Sequence, residues 1–317
     1  MFRLATPLTR RAAQAPMAMP NMLMVPPTRM LQLPITGLSM RMYAASASNP
    51  LQVSQRRKQF LMNIYEESKA NAEPGSKEFD LDKFQNMWID NHPSPDSVGQ
   101  FYDSVADHLA YDGFNVWIGF IDPYLISQVI YKPKPRNEYG RDEFNFGYLN
   151  TRRDAKVFDL GQGTGLLGRL LTEQGFSHID SADASEKSCQ IASESGWYKN
   201  NRCMYFGNGV DQLPANWIGA YDIVMASGVF SKGHIPATGF EDVFAMLKRG
   251  GHFVTSFRKS YLDDEDELGF KAKLEGLEDA GKIEIVKTWT FMRGNNENPY
   301  DFFQEMPFLL VVIKKLA

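Results

Sequence analysis

The chain has 317 residues, 43% of them hydrophobic and 23% charged, with a formal net charge of −4. That length fits one full domain with an extension or two small domains, and the composition suffices for a sizeable core. The slight acid excess argues against a DNA-coating protein, two cysteines (Cys189 and Cys203) exclude a disulfide framework and fit no zinc spacing, and no apolar run approaches the roughly 20 residues of a membrane-spanning helix, which leaves a soluble globular protein of a reducing compartment.

From Met1 to Pro50 there is no Asp, Glu or Lys, while Arg3, Arg10, Arg11, Arg29 and Arg41 are spread along the stretch. Prolines interrupt it throughout, so neither a long helix nor a packed core is expected there. An arginine-bearing, acid-free and hydroxylated N-terminus predicts a disordered mitochondrial transit peptide and linker over residues 1–50. Arg41-Met42-Tyr43-Ala44-Ala45-Ser46 is similar to a matrix-presequence cleavage site. Removing Met1–Tyr43 with its five arginines takes the net charge from −4 to −9, which disfavours a nucleic-acid partner further.

Residues 51–150 predict a helical extension and lid. Leu51–Asn71 and Ser76–Asn91 read as helices, and His92-Pro93-Ser94-Pro95-Asp96 reads as a turn. Ser97–Tyr111 carries Phe101, Tyr102, Val105, Leu109 and Tyr111 near helical spacing, and Asp122–Ile130 predicts one more helix. Lys132-Pro133-Lys134-Pro135-Arg136 and the charged run to Asp154 predict a loop, and this segment or the added helices could receive a protein partner.

After Asp154 short β-rich runs alternate with helical segments. Lys156–Leu160, His178–Ala182, Cys203–Phe206, Tyr221–Ala226 and His252–Phe257 read as strands, with helices over Leu166–Gln174, Glu186–Ser195 and Phe240–Leu247. This alternation predicts right-handed crossovers and a mainly parallel α/β sheet over residues 151–317. An acid-headed helix at Asp263–Ala280, stopped by Gly281, precedes strands at Ile283–Thr290 and Pro307–Lys314. The acid run suits the positive end of that helix and not a metal site.

The string Val157-Phe158-Asp159-Leu160-Gly161-Gln162-Gly163-Thr164-Gly165 carries the chemistry. A strand carrying an acid near its end runs into three alternating glycines, which turn the chain into a helix. Glycine permits the backbone angles of the turn and leaves room for a ligand, and the helix N-terminus offers N–H groups to an anion. The G-x-G-x-x-G spacing of dinucleotide enzymes does not match, because Leu166 holds the sixth place.

The shorter spacing resembles class I S-adenosylmethionine-dependent methyltransferases. The resemblance extends through Tyr221-Asp222-Ile223-Val224, through Gly228 to Pro236, and through Leu247-Lys248-Arg249-Gly250-Gly251-His252-Phe253, where Arg249 replaces the family's proline. With Phe101-Tyr102-Asp103-Ser104-Val105-Ala106 it is closest to the Williams–Beuren syndrome region methyltransferase-like group, from about Gly99 to the C-terminus. The resemblance implies a Rossmann-like, seven-stranded sheet flanked by helices, and S-adenosyl-L-methionine as cofactor. It implies cofactor contacts from Asp159 toward the amino group, from Gly161, Gln162, Gly163 and Gly165 in the loop, and from Asp183 with Ala184 on the ribose. It implies further contacts from Gly209, Val210 and Asp211 on the adenine side and from Ser227 after the fourth strand. Gly209 stands where many relatives have an acid on the adenine amino group, a role open to Asn208 or Asp211.

Methyl transfer from a sulfonium needs no general base, so the sequence assigns no catalytic residue. His234 is the best base candidate, but with no paired acid it reads as a surface-loop histidine. Tyr102 and Tyr111 could close over the cofactor or pack on the sheet. Three functions remain open: a mitochondrial methyltransferase acting on a small molecule or protein side chain, a non-catalytic subunit or assembly factor of a mitochondrial complex, and another reaction on the same fold. The intact glycine loop with Asp183 favours the first. The methyl acceptor cannot be read from the sequence.

Overall fold

The computed structural model describes residues 62–72 in part, 98–131 apart from 107, 147–263, 266–294 and 305–317. The expected transit peptide, the helix at Ser76–Asn91, the turn at His92–Asp96 and the loop at Lys132–Arg136 lie outside the described residues. The described part of the expected Leu51–Asn71 helix is helical, and Glu67 in it pairs with Arg169 at 2.8 Å.

The elements are α1 (Val98–Val105), α2 (His108–Trp117), α3 (Asp122–Ile130), β1 (Val157–Leu160), α4 (Leu166–Glu173), β2 (Ile179–Asp183), α5 (Glu186–Ser195), β3 (Asn200–Cys203), β4 (Tyr221–Ala226), α6 (Gly239–Met246), β5 (Leu247–Arg258), α7 (Phe270–Asp279), β6 (Ile283–Arg293) and β7 (Met306–Lys315). They form the expected seven-stranded sheet, in the order β3-β2-β1-β4-β5-β7-β6. β3 to β5 pair in parallel and β7 runs antiparallel between β5 and β6. Strand order reverses at β1, with β2 on one side and β4 on the other. A crevice therefore opens beyond their carboxyl ends, where open α/β sheets bind ligands.

Alternation along β1 divides the core. Phe158 and Leu160 face Phe206, Trp217 and Phe240, while Val157 faces Leu125, Ile126 and Val129 of α3 and Leu171 of α4. α3 is thereby a full member of one helical layer. Pro123 in its first turn needs no intrahelical N–H partner, which suits the helix start. The other layer centres on Phe230 and Phe240, stacked at 4.5 Å with Phe253 and Phe270 edge-on.

Several boundaries differ from expectation. The helix expected over Ser97–Tyr111 is two helices, α1 and α2, broken at Ala106. The third strand is Asn200–Cys203 and not Cys203–Phe206, because an exposed edge strand needs hydrogen bonding and not apolar side chains. β5 starts five residues earlier than its apolar run, at Leu247. Its turn tolerates Arg249 in place of proline because the Nε donates to Leu316 O at 2.9 Å. The acid-headed helix starts only at Phe270. Gly269 before it is left-handed (φ 69°), and the Asp266 carboxylate caps the new start, accepting from Phe270 N at 3.0 Å and Ala272 N at 3.1 Å.

Truncating Phe240, which is 0% exposed, leaves a cavity at the centre of the phenylalanine cluster. Phe240→Ala is expected to lower unfolding free energy by about 3–5 kcal/mol in urea titration. A loss under about 1 kcal/mol would show that this layer collapses to fill the space.

Candidate active site

The glycine turn between β1 and α4 is bound to the neighbouring strand on both sides. Gly161 N donates to Ala182 O at 2.8 Å, and Gly163 N donates to Asp183 Oδ2 at 2.9 Å. Asp183 Oδ1 accepts from Ser185 N at 2.9 Å. One carboxylate thus joins the turn to the start of α5, and burial raises its pKa despite these donors. Each oxygen still has lone-pair capacity for a further donor.

At Gly161 the protein's own packing requires glycine. Gly161 has φ 69°, and a Cβ there would meet Val229 Cγ1 at 2.3 Å. A Cβ on Gly163 would lie 3.5 Å from the Tyr111 ring. A Cβ at Gly161 would thus strike the protein itself, while at Gly163 the left-handed φ of 53° is what calls for glycine.

The roof is α1 and α2. Gly99 sits so close to the floor that a Cβ would come within 2.5 Å of Ala184 O. Asp103 of α1 accepts from Ser185 Oγ at 2.6 Å and from Lys187 N at 3.0 Å, so it caps α5 from the opposite side of the crevice. Tyr102 and Tyr111 both line the cavity, and burial raises both hydroxyl pKa values.

His234 is 7% exposed and lies on the cavity wall, which corrects its reading as a surface-loop residue. Its Nδ1 stands 2.9 Å from Ser231 Oγ and 3.0 Å from Lys232 O, and because the carbonyl can only accept we assign the proton to Nδ1. Nε2 then accepts from the Tyr102 hydroxyl at 2.6 Å. Burial lowers the imidazole pKa, and a neutral ring suits that bond.

Of the residues expected to hold the cofactor, Gly161, Gly163, Asp183, Ala184 and Ser227 line this cavity. The others do not. Asp159 is 1% exposed beneath the turn, where its Oδ2 accepts from the Tyr198 hydroxyl at 2.7 Å. Gln162 points into the interior and its amide lies 3.7 Å from Cys189 Sγ. Gly165 (φ 94°) starts α4 and packs under Trp197 and Tyr198. Gly209, Val210 and Asp211 form an outlying turn with Val210 38% exposed, and Asp211 accepts from the Gln212 side chain at 2.9 Å. Asn208 borders a separate polar groove beside Ala184. Sequence reading missed Tyr198, Val229, Phe120, Arg293 and Phe308. Trp197-Tyr198 directly after the Gly196 helix stop was the available signal for an aromatic plug.

Residues 158–255 match the protein family described as methyltransferase domain. Over this segment the chain is similar to methyltransferase domains. Human methyltransferase-like protein 27 is 27% identical over 135 residues, 43% of this chain and 54% of that protein. Ribosomal protein L11 methyltransferase of Staphylococcus saprophyticus is 27% identical over 104 residues, 32% of this chain and 31% of the relative. The alignments thus span about half the length of the first relative and less of the second. A chain from a solved complex between the Haloferax volcanii Trm112 methyltransferase activator and a methyltransferase aligns at 16% identity and TM-score 0.45, covering 68% of this chain and 98% of that one.

The cofactor of such a methyltransferase domain is S-adenosylmethionine, and the cavity fits it on three counts. Asp183 retains acceptor capacity, Met204, Tyr205 and Phe206 supply an apolar slot, and the buried Ser227 Oγ lacks a hydrogen-bond partner among the described residues. An orphaned buried hydroxyl on a cavity wall is what a polar ligand group satisfies.

Asp159 is raised by burial from an ordinary 3.8 to about 7. Its contribution to stability is therefore fully present below 3.8 and is lost as pH rises through about 7. Comparing unfolding free energies of the wild type and Asp159→Asn should give a difference that moves against the wild type across this interval and is level above it. A level difference throughout would mean that the carboxyl ionises in its ordinary range.

Proposed function

We propose that the protein is an S-adenosylmethionine-dependent methyltransferase acting in mitochondria on a small molecule or a protein side chain. The carrying observation is one cavity over the β1–β4 switch point lined by the Gly161–Gly163 turn, Asp183 and Ser227, whose buried hydroxyl has no partner among the described residues. When bound, S-adenosylmethionine supplies a methyl group already activated by its sulfonium. The chain's task is then to hold two reactants in line and keep water out. Asp183 offers its remaining lone pairs to the ribose hydroxyls, and Ser227 Oγ takes a polar group beside the turn. Tyr102 and Tyr111 close the roof.

Tyr102 and His234 also provide a route for the acceptor's proton. The Tyr102 oxygen receives it while its own proton passes to His234 Nε2, so the transfer ends on the imidazole. Burial lowers the imidazole pKa, which keeps that nitrogen unprotonated beforehand and makes it a weak base that passes the proton on readily.

Calorimetry on the full chain tests the reading. Micromolar binding of S-adenosylmethionine or its demethylated product is expected, weakened roughly tenfold or more by Asp183→Ala, the worth of one charge-assisted hydrogen bond. Absence of binding at millimolar cofactor would favour a non-catalytic subunit instead.

The mitochondrial assignment is supported by the acid-free, arginine-bearing Met1–Pro50 stretch and the Arg41–Ser46 cleavage-like sequence. A fluorescent protein fused behind Met1–Ser48 should collect in mitochondria; a diffuse cytosolic signal would remove the assignment.

A further inference from the structure

The cavity continues well past the Asp183 end. Its other end lies beyond the carboxyl ends of β5 and β6, at least three strand spacings of about 4.8 Å from β2. That end is built from rings and thioether, with Phe120, Tyr261, Met306 and Phe308 on its wall. Among the described lining residues the acid is Asp183, at the opposite end, and the guanidinium groups are Arg258 and Arg293.

Arg293, the last residue of β6, is held in an unusual way. Its guanidinium lies 4.5 Å from the Phe120 ring centroid and 4.5 Å from that of Phe308, so two aromatic rings pack on it. Its side chain is 16% exposed. NH1 donates to Asp122 Oδ1 at 3.2 Å, a contact that uses one of the five N–H donors. Asp122 Oδ1 also accepts from Ser256 Oγ at 2.6 Å, while its buried Oδ2 has no partner among the described residues. A pair serving only the fold gains little from one long contact that leaves other polar atoms bare. The two rings instead restrict the side chain, and the remaining donors of the planar guanidinium lie in its own plane. A planar anion meets such an edge with two parallel hydrogen bonds. Gly228, directly after Ser227, keeps this region open, since a Cβ there would lie 4.0 Å from Arg293 NH1 and 2.9 Å from the Phe120 ring.

We propose that the methyl acceptor is a small molecule with an apolar body and a carboxylate, the body packed among Phe120, Tyr261, Met306 and Phe308 and the carboxylate gripped by Arg293. Arg258, at the carboxyl end of β5 on the same wall, adds positive potential. The proposal rests on the methyltransferase reading and narrows its acceptor from any small molecule or side chain to this class.

The test uses the full chain saturated with S-adenosylhomocysteine. Calorimetry is run with octanoate and phenylacetate, each against its primary amide and its amine. The carboxylates should bind at least tenfold more tightly than either counterpart. Because Arg293→Gln alone leaves Asp122 buried without its cation, the variant is the double Arg293→Gln, Asp122→Asn. It should lose the carboxylate preference while S-adenosylhomocysteine affinity stays within about twofold. Equal or tighter binding of amide or amine overturns the proposal, as does no carboxylate binding at 10-fold molar excess over a millimolar protein sample, or an unchanged preference in the double variant. The wild-type comparison needs no variant to fold. Failure of S-adenosylhomocysteine to bind, seen before any carboxylate is added, brings down the methyltransferase reading itself and is thereby told apart.

Discussion

The Asp183 carboxylate is the point at which three parts of the molecule meet. It accepts from the glycine turn after β1 and from the first residues before α5, and it faces the cavity. Ser185, whose N–H it holds, also hydrogen-bonds Asp103 of the roof. Moving this carboxylate would release the turn, the α5 cap and the seat of α1 together. Backbone donors fix its oxygens in place before any ligand arrives, so little ordering remains to be done on binding.

Around that point the cavity divides by chemistry. Near β1 and β2 it offers a carboxylate, backbone turns and an unpartnered hydroxyl, which suit a sugar and its neighbours. Beyond β5 and β6 it offers rings with two guanidinium groups. On the proposed reading, sulfonium and carboxylate carry opposite charge, and guanidinium groups at one end with an acid at the other would keep each reactant in its own half.

Much of the architecture was legible in residue order. Alternating short apolar runs and helical segments gave the parallel sheet, and Asp122–Ile130, Glu186–Ser195 and Tyr221–Ala226 matched the observed elements at both ends. The misses share a cause. β3 is polar because it lies at the sheet edge, and the helix expected from Asp263 waits for Gly269 and the Asp266 cap, which are local backbone events that hydrophobic pattern does not report. The site was legible where backbone geometry carries it, at Gly161, Gly163 and Asp183. At Asp159 nothing in the β1 string shows that the Tyr198 hydroxyl from after α5 reaches back and donates to its carboxylate.

By itself the sequence determined the class of fold, the place of the turn and the acid that closes the second strand. Those follow from short-range rules: strands and helices have different hydrophobic periods, and a left-handed turn demands glycine. Only the tertiary structure decided which side chains face the cavity. Arg293, Phe120 and Phe308 are up to 188 residues apart in the chain and become neighbours because β6 and β7 pair beside β5 while the α2–α3 corner folds over them. The same packing turned His234 from a loop residue into a buried partner of Tyr102. Long-range contacts of this kind depend on how layers pack, and no local pattern encodes them.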